Sequence, residues 1–191
     1  MNVYDFDGTI YKGDSTADFY LFLIRRHPGL MSGLPAFAAA AVKKKLGKID
    51  LTQMKDQFYT FIPRVRSMDG ELALFWQTHM KNIMAWYLLQ RRPDDVIISA
   101  SPEFLLRIPA ERLGWERLIA SPVDPVTGRY QGVNCKGEEK VRRFREHYPD
   151  GHIDGFYSDS WSDLPLAKLA DSAYLIKHET VCTWDTKAKH K

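Results

Sequence analysis

The chain has 191 residues, of which 45% are hydrophobic and 27% charged, and its net charge is +3. That length supports one α/β core plus a small accessory module, and so mild a basic excess gives no ground for a nucleic-acid partner. Cys135 and Cys182 are the only cysteines and the six histidines show no ligand spacing. A disulfide framework and a zinc pattern are therefore excluded, and a reducing, cytoplasmic setting is expected.

Part of the positive charge lies in Lys187-Ala188-Lys189-His190-Lys191, which reads as a frayed end. No secretory leader is expected, because the acidic Asp5-Phe6-Asp7 stands where an apolar run would be needed. The longest weakly polar stretch, Gly29 to Val42, is interrupted by Pro35 and falls short of the roughly 20 apolar residues that cross a bilayer.

In chain order, Met1 to Tyr4 reads as the end of a first strand leading into Asp5. Asp14-Ser15-Thr16 supplies helix-capping chemistry. The helix that follows carries Phe19 to Ile24, is apolar most of the way round, and ends at Pro28-Gly29. A second helix is expected from Pro35 to Lys45, a third from Leu51 to Ile62 before Pro63, and a fourth from Asp69 to Gln90. The pattern changes after Pro93. Val96-Ile97-Ile98 is a β-branched run suited to a strand buried on both faces. A helix from Glu103 to Leu113, a short strand within Trp115 to Ala120 and turns through Pro122 to Gly132 follow. Gly137 to His147 then reads as a charged helix, Ile153 to Tyr157 as a strand, Leu164 to Ala170 as a helix and Ala173 to Ile176 as a last strand. Strands alternating with helices imply a three-layer, Rossmann-like α/β core around a parallel sheet. Residues 1–14 and 91–191 would form that core, and residues 15–90 an all-helical cap inserted after the first strand.

Asp5-Phe6-Asp7-Gly8-Thr9 is the strongest chemical signal. Active sites of open parallel sheets gather at the carboxyl ends of strands. Two carboxylates at i and i+2 there reach one reacting group if the chain bends, and Gly8 permits the bend. Such a pair suits phosphoryl transfer, with one carboxylate as nucleophile and the other as acid and base. Ser99 follows the Val96 strand and could hold a phosphoryl oxygen, while Ser101 is read as capping the next helix. Asp159 and Asp163 follow the Ile153 strand with the hard oxygens that Mg²⁺ prefers. A cation must also balance the transition state, and Lys136 and Lys140 are the candidates.

In this order the motifs resemble the haloacid dehalogenase superfamily: D-x-D-G-T, a strand-end serine, a lysine, then D-x-x-x-D. The helical insert resembles the cap of its phosphoserine-phosphatase-like subfamily, and Ile98 to Phe104 with Cys135 to Val141 resemble a less characterised branch. The resemblance implies a Mg²⁺-dependent phosphomonoesterase in which Asp5 is nucleophile and metal ligand. Asp7 would be the acid and base, and its carbonyl a metal ligand. Thr9, Ser99 and Ala100 would bind phosphate, and Asp159 would bind the metal with Asp163 behind it. That branch favours Lys140 as the catalytic lysine, whereas phosphoserine phosphatases favour Lys136. Asp7 also argues against dehalogenation, which needs no acid at that position.

The resemblance implies a small phosphorylated metabolite as substrate, phosphoserine-like in type. Asp14 lies where phosphoserine phosphatases carry an acidic residue for the substrate ammonium, and it is also a natural helix cap. Leu30 to Val42 followed by Lys43-Lys44-Lys45 raises a second reading, a lipid-phosphate phosphatase of the phosphatidylglycerophosphatase type resting on an anionic membrane. Packing beneath the cap is the simpler explanation of that stretch. A phosphotransferase and an inactive binding module complete the alternatives.

Overall fold

The computed structural model describes residues 1–186, so the basic tail at 187–191 lies outside the described residues. Six strands form one sheet in the order β3-β2-β1-β4-β5-β6. They are β1 Asn2–Tyr4, β2 Val96–Pro102, β3 Leu118–Ser121, β4 Ile153–Ser158, β5 Ala170–Lys177 and β6 Thr180–Thr183. The first five pair in parallel and β6 joins the edge antiparallel.

Side chains that alternate along each strand serve two cores. Tyr4 and Ile97 face one, together with Leu105 and Leu106 of α6 (Glu103–Leu113). Val3, Val96 and Ile98 face the other, with Phe144 of α7 (Glu138–His147) and Leu166 of α8 (Leu164–Ala167). The sheet is thus covered on both faces, as a run of β-branched residues requires.

Between β1 and β2 the chain forms five α-helices: α1 Ser15–Arg26, α2 Leu34–Lys45, α3 Leu51–Phe58, α4 Met68–His79 and α5 Ala85–Gln90. Several boundaries differ from the sequence expectation. The third helix stops at Phe58 and tightens into 3₁₀ turns through Arg64, which accommodate Pro63. The fourth is two helices, because residues 82–84 are recruited elsewhere. Lys12 N–H donates to the Asn82 carbonyl and Met84 N–H to the Ile10 carbonyl, both at 2.8 Å, and Tyr11 bridges Ile83 antiparallel. Inter-segment bonding there overrides a helical periodicity that continues unbroken in the sequence. Further along, the helix expected to Ala170 ends at Ala167, and the strand expected from Ala173 begins at Ala170.

The apolar stretch around α2 is not explained by packing alone. Leu30 and Ala40 are buried, but Met31 is 51% and Val42 57% exposed. In α1, likewise, Phe19, Tyr20 and Leu23 are buried while Leu21 is 51% exposed, so that helix is not enclosed all round.

Trp76 of α4 joins the helical segment to the core. It is fully buried, donates its indole N–H to the Leu105 carbonyl at 2.7 Å, and meets Phe6 and Tyr11 edge-on. Trp76→Ala is expected to cost about 3–5 kcal/mol of stability in urea unfolding, and Trp76→Phe less, with the Leu105 carbonyl left without its donor.

Candidate active site

The carboxyl ends of β1, β2 and β4 converge where the chain turns from one side of β1 to the other, the place where open α/β sheets bind ligands. Tyr4 is in register with Ile97 on one side and Tyr157 on the other, and Asp5 N–H donates to the Tyr157 carbonyl at 2.9 Å. Asp5 is therefore fixed at the strand end. Phe6 turns into the core, and its carbonyl accepts N–H bonds from Thr9, Ile10 and Tyr11, which curls the chain back. Gly8 has φ +71°, and a Cβ there would lie 2.1 Å from Asp159 Oδ2. The glycine is thus required twice, for the left-handed bend and for the close approach of Asp159.

The two candidate lysines are placed differently, and Lys140 is the one that meets Asp5. It is 1% exposed, and its Nζ donates to Asp5 Oδ1 at 2.8 Å and to Asp163 Oδ2 at 2.6 Å. Lys136 is an exposed residue on the cavity wall. The position of Lys140 follows from its helix, since Lys140, Arg143 and Phe144 share one face of α7. Arg143 pins that helix by donating to the carbonyls of Ala120 at 2.8 Å and Val133 at 2.6 Å and to Glu139. Asp163, also 1% exposed, accepts a second bond from Ser158 Oγ at 2.9 Å.

Asp7 is held by different partners. Ser15 N–H, one of the free donors at the start of α1, reaches Asp7 Oδ1 at 2.7 Å, and Ser101 Oγ donates to Oδ2 at 2.5 Å. Ser101 in turn meets Thr16 Oγ1 at 2.9 Å. Ser101 is therefore not the helix cap expected of it: Pro102 occupies the cap position of α6, where no side chain caps the helix. Asp14 does cap α1, accepting Ala17 N–H at 2.9 Å, and also lines the cavity. Ser99 is buried and accepts Ser101 N–H at 3.0 Å, while Ala100 borders the cavity with its carbonyl taken by Ser121 and Lys55. Thr9 is fully buried, and its hydroxyl accepts Asp159 N–H at 2.9 Å, which anchors the β4 loop against the β1 loop.

In the cavity wall, Ser101 was given another role by the sequence reading and Lys55 escaped it. Ser101 is two positions beyond Ser99 in a strand that runs further than its β-branched portion, so strand alternation was the available signal. Lys55 lies one position past Met54 on the apolar stripe of α3, and its Nζ donates to the Ala100 carbonyl at 3.0 Å and Asn134 Oδ1 at 2.8 Å. Burial pushes the Lys55 ammonium down to about 8, with the charges of Asp7 and Asp14 drawing it partly back.

Charge balance explains the remaining electrostatics. Burial raises the Asp5 carboxyl above its ordinary range, Lys140 opposes the rise, and Asp163 adds to it, because one ammonium serves two carboxylates. Burial also works against the Lys140 charge, but Asp5 and Asp163 outweigh it and hold the proton firmly. Asp7 is pushed up to about 6, first by burial and then by Asp14, against the bonds from Ser101 and Ser15. Asp159 is raised mainly by desolvation.

The donor set fits a hard divalent cation. Asp5 and Asp159 offer carboxylates, the Asp7 carbonyl belongs to the same loop, and Asp163 Oδ1 is buried without a hydrogen-bond partner.

A family model described as haloacid dehalogenase-like hydrolase matches residues 3–168. The chain belongs to this family. Protein CicA of Caulobacter vibrioides is 26% identical over 192 residues, covering 88% of this chain and 82% of its own. A Bordetella pertussis protein of unknown function shares the fold with TM-score 0.68 and 20% identity, over 88% of this chain and 85% of that one. A phosphoserine phosphohydrolase-like protein from Francisella tularensis aligns with TM-score 0.55 and 14% identity, over 91% and 86% of the two chains. The Asp5, Lys140 and Asp159 arrangement of this haloacid dehalogenase-like hydrolase therefore stands in a fold shared with phosphoserine-phosphatase-like proteins.

The raised carboxyls give a pH dependence. Between an ordinary value near 4 and their folded values, the native protein binds more protons than the unfolded chain. The stabilising contribution is complete below about pH 4 and is lost as pH rises towards about 7. In protein freed of divalent ions, wild type should lose thermal stability relative to Asp7→Asn across that window. Added Mg²⁺ should raise the stability of both proteins at pH 7.5, because the substitution leaves the position-7 carbonyl in place, and calorimetric scans of both proteins check it.

Proposed function

We propose that the protein is a Mg²⁺-dependent phosphomonoesterase of small phosphorylated compounds that works through an aspartyl-phosphate on Asp5. In this reading residues 15–90 form a cap over a core of residues 1–14 and 91–191. The observation that carries the proposal is the division of labour between two neighbouring carboxyls. Asp5 is tied to the buried Lys140, whereas Asp7 is held apart by Ser15 and Ser101, and burial brings it to about 6. Such a value suits a group that must give and take a proton near neutral pH.

Asp5 would attack phosphorus as the bond to the ester oxygen breaks, and Asp7 would give its proton to the leaving alcohol. Asp7 would then take a proton from water as that water attacks the acyl-phosphate, releasing inorganic phosphate and restoring Asp5. Lys140 would hold Asp5 in line and balance the charge added at phosphorus. Ser99, Ala100 and the Thr9 turn would border the phosphoryl group at the strand ends. Asp5, Asp159 and the Asp7 carbonyl would hold Mg²⁺, which when bound lowers the repulsion between carboxylate and phosphate dianion. The free thiols of Cys135 and Cys182 fit a reducing compartment.

Hydrolysis of p-nitrophenyl phosphate that depends on Mg²⁺ is the expected result, with an acid-stable, alkali-labile phosphoryl-enzyme after rapid quenching. Asp5→Asn should abolish both. Activity retained by Asp5→Asn would overturn the mechanism. Asp7→Asn should lower turnover by about 10²–10⁴-fold, more for alkyl esters than for p-nitrophenyl phosphate, whose leaving group needs little protonation.

A further inference from the structure

The cavity above Asp5 extends beyond the needs of a phosphate group, into the helical segment, with a volume of about 860 Å³. Its charged groups cluster around the strand ends, and beyond the Asp5, Asp7, Lys140 and Asp163 networks two more are engaged: Asp14 caps α1 and Lys55 bonds Ala100 and Asn134. The upper wall is built from one face each of three helices. Leu21 and Ile24 of α1, Leu34 and Phe37 of α2, and Met54 and Phe58 of α3 line it. Helical spacing aims these pairs inward together. Leu21 and Leu34 nevertheless remain 51% and 36% exposed, so the wall leaves apolar surface in water that a bound molecule would cover. Phe37 and Phe58 pack with ring centres 4.9 Å apart, which gives this end of the cavity an aromatic surface.

We infer that the substrate is a phosphomonoester with a hydrocarbon body, which the walls of α1, α2 and α3 enclose while its phosphate lies at Asp5. The inference rests on the phosphomonoesterase reading and narrows its substrate class, away from zwitterionic amino-acid phosphates. A free amphiphile and a lipid headgroup present the same chemistry to this wall.

The test is kcat/KM of the Mg²⁺-loaded protein for ethyl, butyl, hexyl and octyl phosphate below their micellar concentrations, with phosphoserine and p-nitrophenyl phosphate alongside. Burial of each methylene predicts an increase of up to about fourfold per carbon. The value should rise at least tenfold from ethyl to octyl, and phosphoserine should do no better than ethyl phosphate. Leu21→Asp and Phe37→Asp should bring the octyl-to-ethyl ratio towards one. Should either variant fail to fold, the wild-type series still decides. A flat or falling series beside active p-nitrophenyl phosphate hydrolysis overturns this inference and leaves the phosphatase reading intact. If no ester is hydrolysed, the phosphatase reading fails, and calorimetry with octyl and ethyl phosphonate decides the apolar wall: tighter octyl binding sustains it and equal binding overturns it. Hydrolysis of phosphatidic acid in vesicles as well as octyl phosphate assigns a lipid source, and hydrolysis of octyl phosphate alone a free amphiphile.

Discussion

A single buried ammonium organises this molecule. Lys140 reaches from the first turn of α7 to Asp5 at the end of β1 and to Asp163 after β4, so one cation ties three separate chain segments together. Losing it would leave two carboxylates facing each other out of water, a far larger penalty than any surface pair could offset. The rest of the core is arranged around that requirement. Arg143 locks α7 against β3, Ser158 takes up Asp163, and the backbone of Asp5 is bonded to β4. One ammonium serves two acids, and the divalent ion of the proposed mechanism would supply the further positive charge.

Asp7 belongs to a different network, one that involves the helical segment. Its partners are the first N–H of α1 and a serine of β2, and Thr16 of α1 completes the chain of hydroxyls. Asp7, the proposed acid and base, is therefore oriented partly by the element that also walls the cavity. Any displacement of α1 would alter both the apolar wall and the setting of the Asp7 carboxyl, so on the proposed mechanism ligand fit and chemistry are linked through one helix.

Much of this could be read from the chain. The β-branched run at Val96 announced a buried parallel strand, because few other structures bury such residues on both sides. The acidic pair and Asp159 stood out because each directly follows a strand, which put them at one end of the sheet, whereas two lysines at the start of one charged helix were left as candidates. What could not be read depended on contacts between distant segments. The break in the helix expected from Asp69 to Gln90 arises where Asn82, Ile83 and Met84 bond the loop after β1. The edge strand β6 is short, largely exposed and preceded by His178 and Glu179 at positive φ, so neither hydrophobic pattern nor a glycine marked its turn. Ser101 was assigned to a cap because the strand carrying it outlasts its apolar residues. The resemblance put Lys140 ahead of Lys136, but the direction in which each side chain points could not be read: the face of α7 that carries Arg143 and Phe144 turns Lys140 inward to Asp5, while Lys136 stays exposed.

The position of β1 bears on how the chain matures. It is a strand of three residues, and its neighbours are distant in sequence: β2, beginning at Val96, and β4, beginning at Ile153. During synthesis the segment bearing Asp5 emerges before either partner strand and stays unpaired until β2 and β4 have been made. The helices made in the interval depend on local contacts and form quickly, whereas closure of the sheet waits for long-range pairing. The strand-end cluster thus assembles late in the fold from a segment made before its partners, and a chain that stops short of α7 carries the acidic loop without the lysine that binds it.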